Sequence, residues 1–337
     1  MRLLDANDPN FQAQWLRLLS KAAWRHALYE PLNLGFYSAF HQAKFTERSV
    51  AVMVNDEPVA GLRMTSHVET DGVTVFSCYG QPAIFVEAAG VSGAGAGNMY
   101  SALKLYVDEL RRQSTPWRWD HAEHLMSGHI SEIGRHLLSL GGVPAVGTTQ
   151  MLDLRETEES LFSGLTKSFR WSVNWGRKNL LIRLLSRDHV QADDIEAFRQ
   201  LHLEAAGRET RNRDTWDRQL EMILGNEAFL CLGEIENRLV TAALFSCSPD
   251  HCYYGVSASR RELFGNDKPL SHALVWNAVV QARKLGCRWF EMGDLRFPYQ
   301  TLSPSDKEMG ISTFKKNFGG RTFARLKITA SAPSGTG

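Results

Sequence analysis

The groups best suited to work on a carbonyl lie in the last third of the chain. The run Phe290-Glu291-Met292-Gly293-Asp294-Leu295-Arg296 places two carboxylates three residues apart at the end of an apolar segment. In an open α/β sheet, ligands gather at the C-terminal ends of the strands. Glu291 or Asp294 could there accept a proton from an attacking amine, with Tyr253 or Tyr254 on a neighbouring strand as donor. Asp294 reads equally well as a turn former after Gly293. Further on, Ile311, Phe314 and Phe318 share one face of a helix that Gly319 would cap. Lys315 on that helix could stabilise charge on a carbonyl oxygen or bind a phosphate, although by spacing alone it is a surface lysine.

Cations cluster in two further places. A helix over 158–178 would carry Phe162, Leu165, Phe169 and Val173 on its apolar face. Lys167, Arg170, Trp171, Asn174 and Lys178 project from the other, and no acidic residue occurs between Thr166 and Arg187. Cations interleaved with indoles suit phosphates plus a stackable ring, as in RNA or a nucleotide-linked substrate; a solvated basic face is the plain alternative. The second cluster, Arg208, Arg211 and Arg213 before Trp216, is either an anion clamp or a set of surface arginines around an N-cap at Asp214.

Other signals are weaker. The glycine run 90–97 lacks the ending of a P-loop, and no serine stands in a nucleophile elbow. His121 and His124, beside Asp120 and Glu123, lack a third ligand at metal spacing and read as surface histidines, so no metal is expected. The five cysteines are scattered, which fits a reducing compartment rather than a disulfide framework.

The elements that must hold these residues follow an α/β pattern used twice. After a helical stretch over 8–44, strands at 49–53 and 59–64 form a hairpin, strands at 73–78 and 82–87 follow, and Asn98 would cap a helix running to about 112. The second half repeats the order: strands at 228–232, 239–245 and 251–256, a loop over 257–269, a helix over 270–285 stopped by Gly286, and a strand at 287–292. Two helices fill 193–224. The expected domains are 1–150, which 321–330 could complete, and 151–320, with a disordered tail over 331–337. A net charge of +1, with 43% hydrophobic and 22% charged residues, is ordinary globular composition and argues against a dedicated nucleic-acid binder. The N-terminus is no signal peptide and no apolar run is long enough to span a bilayer, so a cytoplasmic location is expected.

Taken together the residues resemble the FemAB family, the Fem-type aminoacyltransferases of peptidoglycan bridge formation and their relatives. The resemblance covers nearly the whole chain. It rests on the basic helix from Lys167 to Lys178, on Ala206-Gly-Arg208-Glu-Thr-Arg211 with Trp216, and on Tyr253-Tyr254-Gly-Val-Ser-Ala-Ser. Trp276 before Ala282-Arg-Lys-Leu-Gly286, Phe290-Glu-Met-Gly293 and Ile311-Ser-Thr-Phe314-Lys315-Lys-Asn-Phe318-Gly319-Gly320 continue it. The resemblance implies tandem GNAT-like domains (α/β, each a mixed, mostly antiparallel sheet flanked by helices) and acyl transfer in a ternary complex, in a cleft between the two. It implies that Phe314 and Lys315 lie at the tRNA acceptor end, with Lys315 neutralising the tetrahedral centre, and that Arg208 and Arg211 hold phosphates. Lys167, Arg170, Trp171 and Trp276 would complete donor or substrate binding. The chain departs from the family in lacking a coiled-coil arm after the basic helix. The loop over 257–269 also lacks the pattern that cradles coenzyme A in ordinary GNAT enzymes.

The expected activity is transfer of an aminoacyl group, carried by aminoacyl-tRNA, to an amine or hydroxyl of a cell-envelope or polysaccharide precursor, with no bound cofactor. Lipid-linked acceptors would add peripheral membrane contact. An acyl-CoA- or acyl-carrier-dependent N-acyltransferase is the alternative enzyme. A catalytically silent RNA- or nucleotide-sugar-binding protein on the same scaffold is the alternative of another class.

Overall fold

The repeat is one of backbone geometry as well as of order. Asn55-Asp56 and Glu236-Asn237 both take φ of 50° and 61°, the two left-handed residues of a type I′ turn, whose twist matches that of the strands it joins. Each hairpin also carries a bulge, at Val52/Met53 and at Gly233/Glu234.

The computed structural model describes residues 1–92, 94–126, 128–260, 268–298 and 304–332. Most of the loop read as lacking the coenzyme A cradle, nearly all of the tail read as disordered, and Gly93 of the glycine run lie outside them. The elements begin β1 (Arg2–Asp5), α1 (Phe11–Lys21), a 3-10 turn (Ala27–Tyr29), α2 (Pro31–His41), β2 (Thr46–Glu47), β3 (Val50–Val54), β4 (Glu57–Arg63) and β5 (Thr65–Val68). They continue β6 (Thr74–Ser77), β7 (Ile84–Glu87), α3 (Ala94–Gln113), β8 (Trp117–His124), α4 (Glu132–Ser139), β9 (Val143–Asp153), α5 (Glu158–Gly164) and α6 (Lys167–Asn179). The remainder is β10 (Leu181–Leu185), α7 (Ala192–Ala206), α8 (Arg213–Leu224), β11 (Ala228–Ile235), β12 (Arg238–Cys247), β13 (His251–Ser259), α9 (His272–Lys284), β14 (Trp289–Leu295), α10 (Asp306–Asn317) and β15 (Arg321–Ser331).

The chain forms two compact units: Met1–Arg25, His41–Gly147 and Ala324–Gly337 make the first, His26–Phe40 and Thr148–Phe323 the second. In the first, an antiparallel sheet runs β1-β3-β4-β7, and β15, β8, β6, β5 and β2 lie side by side. Trp119, Phe76, Leu103, Val107 and Ile328 are among the residues of its core. In the second, the strand order is β10-β11-β12-β13-β14-β9. Its pairs are antiparallel except β13 with β14, and α9 supplies the crossover that a parallel pair requires. One core joins α6 and α9 to the sheet through Phe169, Val173, Trp276, Phe245 and Phe290. A second gathers α7 and α8 through Phe198, Leu201, Trp216 and Met222.

Several local expectations are corrected. The helix read over 8–44 is two helices, because His26 and the residues around it are extended and Pro31 starts α2 afresh. The helix read over 158–178 breaks at Leu165 and Thr166, both extended, into α5 and α6. Asn212 rather than Asp214 caps α8, its Oδ1 accepting from Thr215 N–H at 2.9 Å, and α3 begins at Ala94 rather than after Asn98. Ile311 is exposed and leaves the apolar stripe to Phe314 and Phe318.

His121 is buried rather than on the surface. Its Nδ1 lies 2.8 Å from the Ala83 carbonyl oxygen and its Nε2 2.8 Å from Glu123 Oε1. Both ring nitrogens are thus engaged, one by a backbone carbonyl and one by a carboxyl group. Burial pushes the Glu123 carboxyl up, but the bond and charge of His121 and the bonds from Ser131 outweigh it and hold the carboxyl below its usual range. Glu123→Gln, which disturbs the carboxylate's bonds with His121 and Ser131, is expected to cost about 1–3 kcal/mol. Because the folded value is the lower one, Glu123 contributes fully above the ordinary value of 4.5 and its contribution is lost as pH falls through the folded value. Thermal unfolding followed from pH 7 to about pH 3 should therefore show a steeper acid loss in the native chain than in the Gln variant.

Candidate active site

β13 and β14 are paired only at His251↔Trp289, Cys252↔Phe290 and Tyr253↔Glu291. Both strands continue, to Ser259 and Leu295, but they part. β13 stays on β12 with a bulge at Leu244/Phe245, and β14 stays on β9 with a bulge between Glu291 and Gly293. Bulges bend the strands that carry them, and the two here flank the opening at the C-terminal ends of a parallel pair.

Gly293 lies just past the last pair, with φ 90°. A Cβ there would stand 3.1 Å from Lys315 Nζ and 3.4 Å from Tyr253 Oη, so the amine and the phenol flank a bare Cα. The left-handed backbone favours glycine, and an added Cβ would crowd the end of the lysine. Lys315 is held in place by α10. The Ser305–Glu308 capping box fixes the first turn of that helix. Ser312 Oγ accepts from Arg296 N–H at 2.8 Å, and one turn later Lys315 Nζ donates to the Asp294 carbonyl at 2.8 Å. Burial is the main cause that lowers the Lys315 pKa, with Asp294 and Glu291 opposing it.

Of the two tyrosines, Tyr253 is the one beside Lys315. Tyr254, the next residue on the strand, faces the other way; its ring stacks on Phe245 with centroids 5.4 Å apart and its hydroxyl donates to Ser257 Oγ at 2.6 Å.

Glu291 is 1% exposed, and three side chains converge on it. Thr149 Oγ1 donates to Oε1 at 2.6 Å, His26 Nε2 lies 2.8 Å from Oε2, and His251 Nε2 lies 3.1 Å from the same oxygen. One ligand atom from each of His26, His251 and Glu291 lies within 4.8 Å of the others, the donor set of a zinc site. The backbone argues for protons instead. His26 Nδ1 accepts Leu28 N–H at 3.1 Å and His251 Nδ1 accepts Ala27 N–H at 3.2 Å. In a neutral His26 ring the proton then sits on Nε2, facing the carboxylate, where a metal would need a lone pair. Sequence spacing offered no sign of this group, since His26 and Glu291 are 265 residues apart.

Next to Tyr253 a pocket of about 150 Å³ opens on the sheet face beneath α2 and α8. Phe36, Tyr37 and Phe40 line it from α2, and Arg211, Gln219 and Met222 from α8 and the segment before it. α2 is fixed at both ends. Glu227 Oε2 accepts Leu32 N–H and Asn33 N–H at 2.8 and 3.0 Å, and Asn212 Nδ2 donates to the Ala39 carbonyl at 2.7 Å.

The remaining residues read as binding groups are spread over this unit. Lys167, Trp171, Asn174 and Lys178 form an exposed face of α6, Trp171 being 60% exposed. Arg170 donates to the carbonyls of Ser163, at 2.8 Å, and Leu165, closing the end of α5. Trp276 is buried against Phe162. Phe314 packs on Phe169, His272 and Phe318. The three arginines of the second cluster go separate ways: Arg208 is exposed, Arg213 pairs with Glu196 at 2.7 Å, and Arg211 enters the pocket with its guanidinium over Trp216.

No protein-family model and no curated protein matches the chain in sequence. Solved structures do match it in fold. FemX shares 12% identity over 97% of both chains, with a TM-score of 0.71. The C-terminal domain of a putative lysylphosphatidylglycerol synthetase from Agrobacterium fabrum shares 10% over 95% of this chain and 93% of that one, at 0.60. A tandem GNAT protein from the clavulanic acid biosynthesis pathway shares 18% over 99% and 100%, at 0.55. At such identities the likeness is one of architecture: the chain has the FemAB-type fold, two GNAT-like units duplicated in one polypeptide.

Proposed function

We propose that the chain is an acyltransferase whose centre is the opening between β13 and β14. The observation that carries this reading is the convergence of Lys315 Nζ and Tyr253 Oη on the bare Cα of Gly293. An acceptor amine or hydroxyl attacks the acyl carbonyl, a new C–N or C–O bond forms, and negative charge collects on the carbonyl oxygen. Lys315 stabilises that oxyanion as an ammonium. Collapse breaks the bond to the leaving oxygen or sulfur. The proton lost by the acceptor returns to the leaving group through the Tyr253 hydroxyl, which can donate and accept. Glu291 takes a supporting part: its two oxygens are engaged by Thr149, His26 and His251, and it holds the strands where they part.

For the donor we infer an aminoacyl-tRNA. The support is the α6 face, where an exposed indole stands among Lys167, Asn174 and Lys178; base stacking beside cations is how single-stranded RNA ends are held. The likeness to a tandem GNAT protein described without AcCoA keeps an acyl thioester as the second donor to be tried. The acceptor is read, as from the sequence, as an amine- or hydroxyl-bearing envelope or polysaccharide precursor.

Incubation with charged tRNA and, separately, acetyl-CoA, followed with amine acceptors, tests the reaction: turnover with the thioester alone overturns the tRNA reading, and turnover with neither overturns the enzyme. Lys315→Ala should lower kcat by about 10²–10³-fold at unchanged donor affinity. If Lys315 acts as a cation, the alkaline limb of kcat should fall below the ordinary lysine value of 10.5, since loss of the proton removes the charge, and Lys315→Arg should abolish that limb.

Trp171→Ala should weaken tRNA binding by about 1–3 kcal/mol. Joint replacement of Lys167 and Lys178 by Gln should flatten the slope of log K against log salt by about 1 per lysine. Filter binding between low and moderate salt checks both; an unchanged slope would show that the face does not touch phosphate.

A further inference from the structure

The pocket beside Tyr253 holds polar groups that its own walls leave unsatisfied. Gln219 and Asn33 are each 1% exposed. Among the described residues, both amide atoms of Gln219, the Asn33 Nδ2 and the Arg211 Nη1 are buried without a hydrogen-bond partner. All three residues line the same 150 Å³ space, together with the rings of Phe36, Tyr37 and Tyr253. Leaving a buried donor unpaired costs about 1–3 kcal/mol, and native interiors rarely accumulate several in one place. Here they are collected on the walls of a cavity, where a ligand can satisfy them.

The inventory defines that ligand. Two amide nitrogens and one guanidinium nitrogen are donors, one of them charged, and they ask for an anionic acceptor; the Gln219 Oε1 asks for one N–H or O–H. Cations and amides set among aromatic rings suit a planar carboxylate better than a hydrated ion. The volume sets the size: a cavity near 150 Å³ holds a benzene-sized molecule, too little for a nucleotide or a disaccharide. We propose that this pocket binds the carboxylate-bearing end of the acyl acceptor, a small amino or hydroxy carboxylic acid group, with its carboxylate on Arg211 and Asn33. This rests on the acyltransferase reading only for the word acceptor; as a carboxylate site the pocket stands alone. Tyr253 belongs both to the wall of the pocket and to the group at Gly293, so a ligand anchored here has its reactive end directed to the opening between the strands.

Benzoate is the probe, with benzamide as its neutral isostere and inorganic phosphate as the competing anion, each titrated into the full-length protein by calorimetry. Benzoate is expected to bind one site with a Kd on the order of 1 mM or tighter, benzamide at least about tenfold more weakly, and phosphate is expected not to displace benzoate. Arg211→Gln should erase the preference for benzoate over benzamide, and Gln219→Leu should weaken both while circular dichroism shows the fold intact. Equal affinity for benzoate and benzamide, displacement of benzoate by phosphate at similar concentration, or no saturable binding at about 10 mM each overturns the proposal. The measurement needs no acyl donor. Benzoate binding without transfer from tRNA or thioester would keep the site and defeat the acyltransferase reading; transfer without benzoate binding would do the reverse.

Discussion

A carboxylate buried in the middle of a sheet carries a desolvation cost of several kcal/mol unless polar partners surround it, and the side chains around Glu291 come from three distant parts of the chain. Thr149 comes from β9, His251 from the first position of β13, and His26 from the segment ahead of α2. Both rings are themselves oriented: the two histidine Nδ1 atoms accept Leu28 N–H and Ala27 N–H, so the 3-10 turn is tied to the rings at consecutive residues. α2 then follows within two residues, and Glu227 and Asn212 clasp its ends. The pocket wall of Phe36, Tyr37 and Phe40 is thus a consequence of where one carboxylate has to be satisfied.

The same residue marks where the strands separate. Glu291 is the last partner of β13, and two positions later Gly293 has neither a side chain nor an ordinary φ. The arrangement divides labour along four residues of β14. Glu291 secures the strands, Gly293 leaves room for an amine and a phenol, and the Asp294 carbonyl receives Lys315. Asp294, whose carboxylate reads from the sequence as a possible base, also holds the lysine through its backbone carbonyl.

What could be read beforehand was whatever local chemistry decides. The two hairpins, the crossover helix before Gly286, and the placement of Glu291 and a tyrosine on neighbouring strands follow from turn residues, periodicity and strand ends. What could not be read depends on partners remote in sequence or on an irregularity in register. Tyr253 and Tyr254 are equivalent to the eye, and the choice between them turns on which face of β13 each takes once the strand is paired with β12 and β14. His26 has no local signal, because its role exists only once Glu291 is beside it. Arg208, Arg211 and Arg213 look the same in the sequence; the contact with Trp216 and the pocket distinguish Arg211. The break between α5 and α6 escaped because the apolar spacing from Phe162 to Val173 runs across it without interruption.

The first unit shows what the second would be without its opening. There too a strand pair is parallel, Thr74↔Trp117, Val75↔Arg118 and Phe76↔Trp119. Counting by pairs, Trp119 corresponds to Glu291 and His121 to Gly293. Unlike β14, β8 does not lose its partner at this point: Ala83 bridges His121 in parallel, and Ala83 N–H donates to the Asp120 carbonyl at 2.7 Å. Where the second unit keeps a bare Cα for Lys315 and Tyr253, the first has a buried histidine ring locked between a carbonyl and Glu123. Duplication therefore supplied two copies of the same strand geometry, and beyond the third pair the strands part in the second copy. On the proposed reading, an acyl group that must reach both Lys315 and Tyr253 needs the space that the first unit has filled.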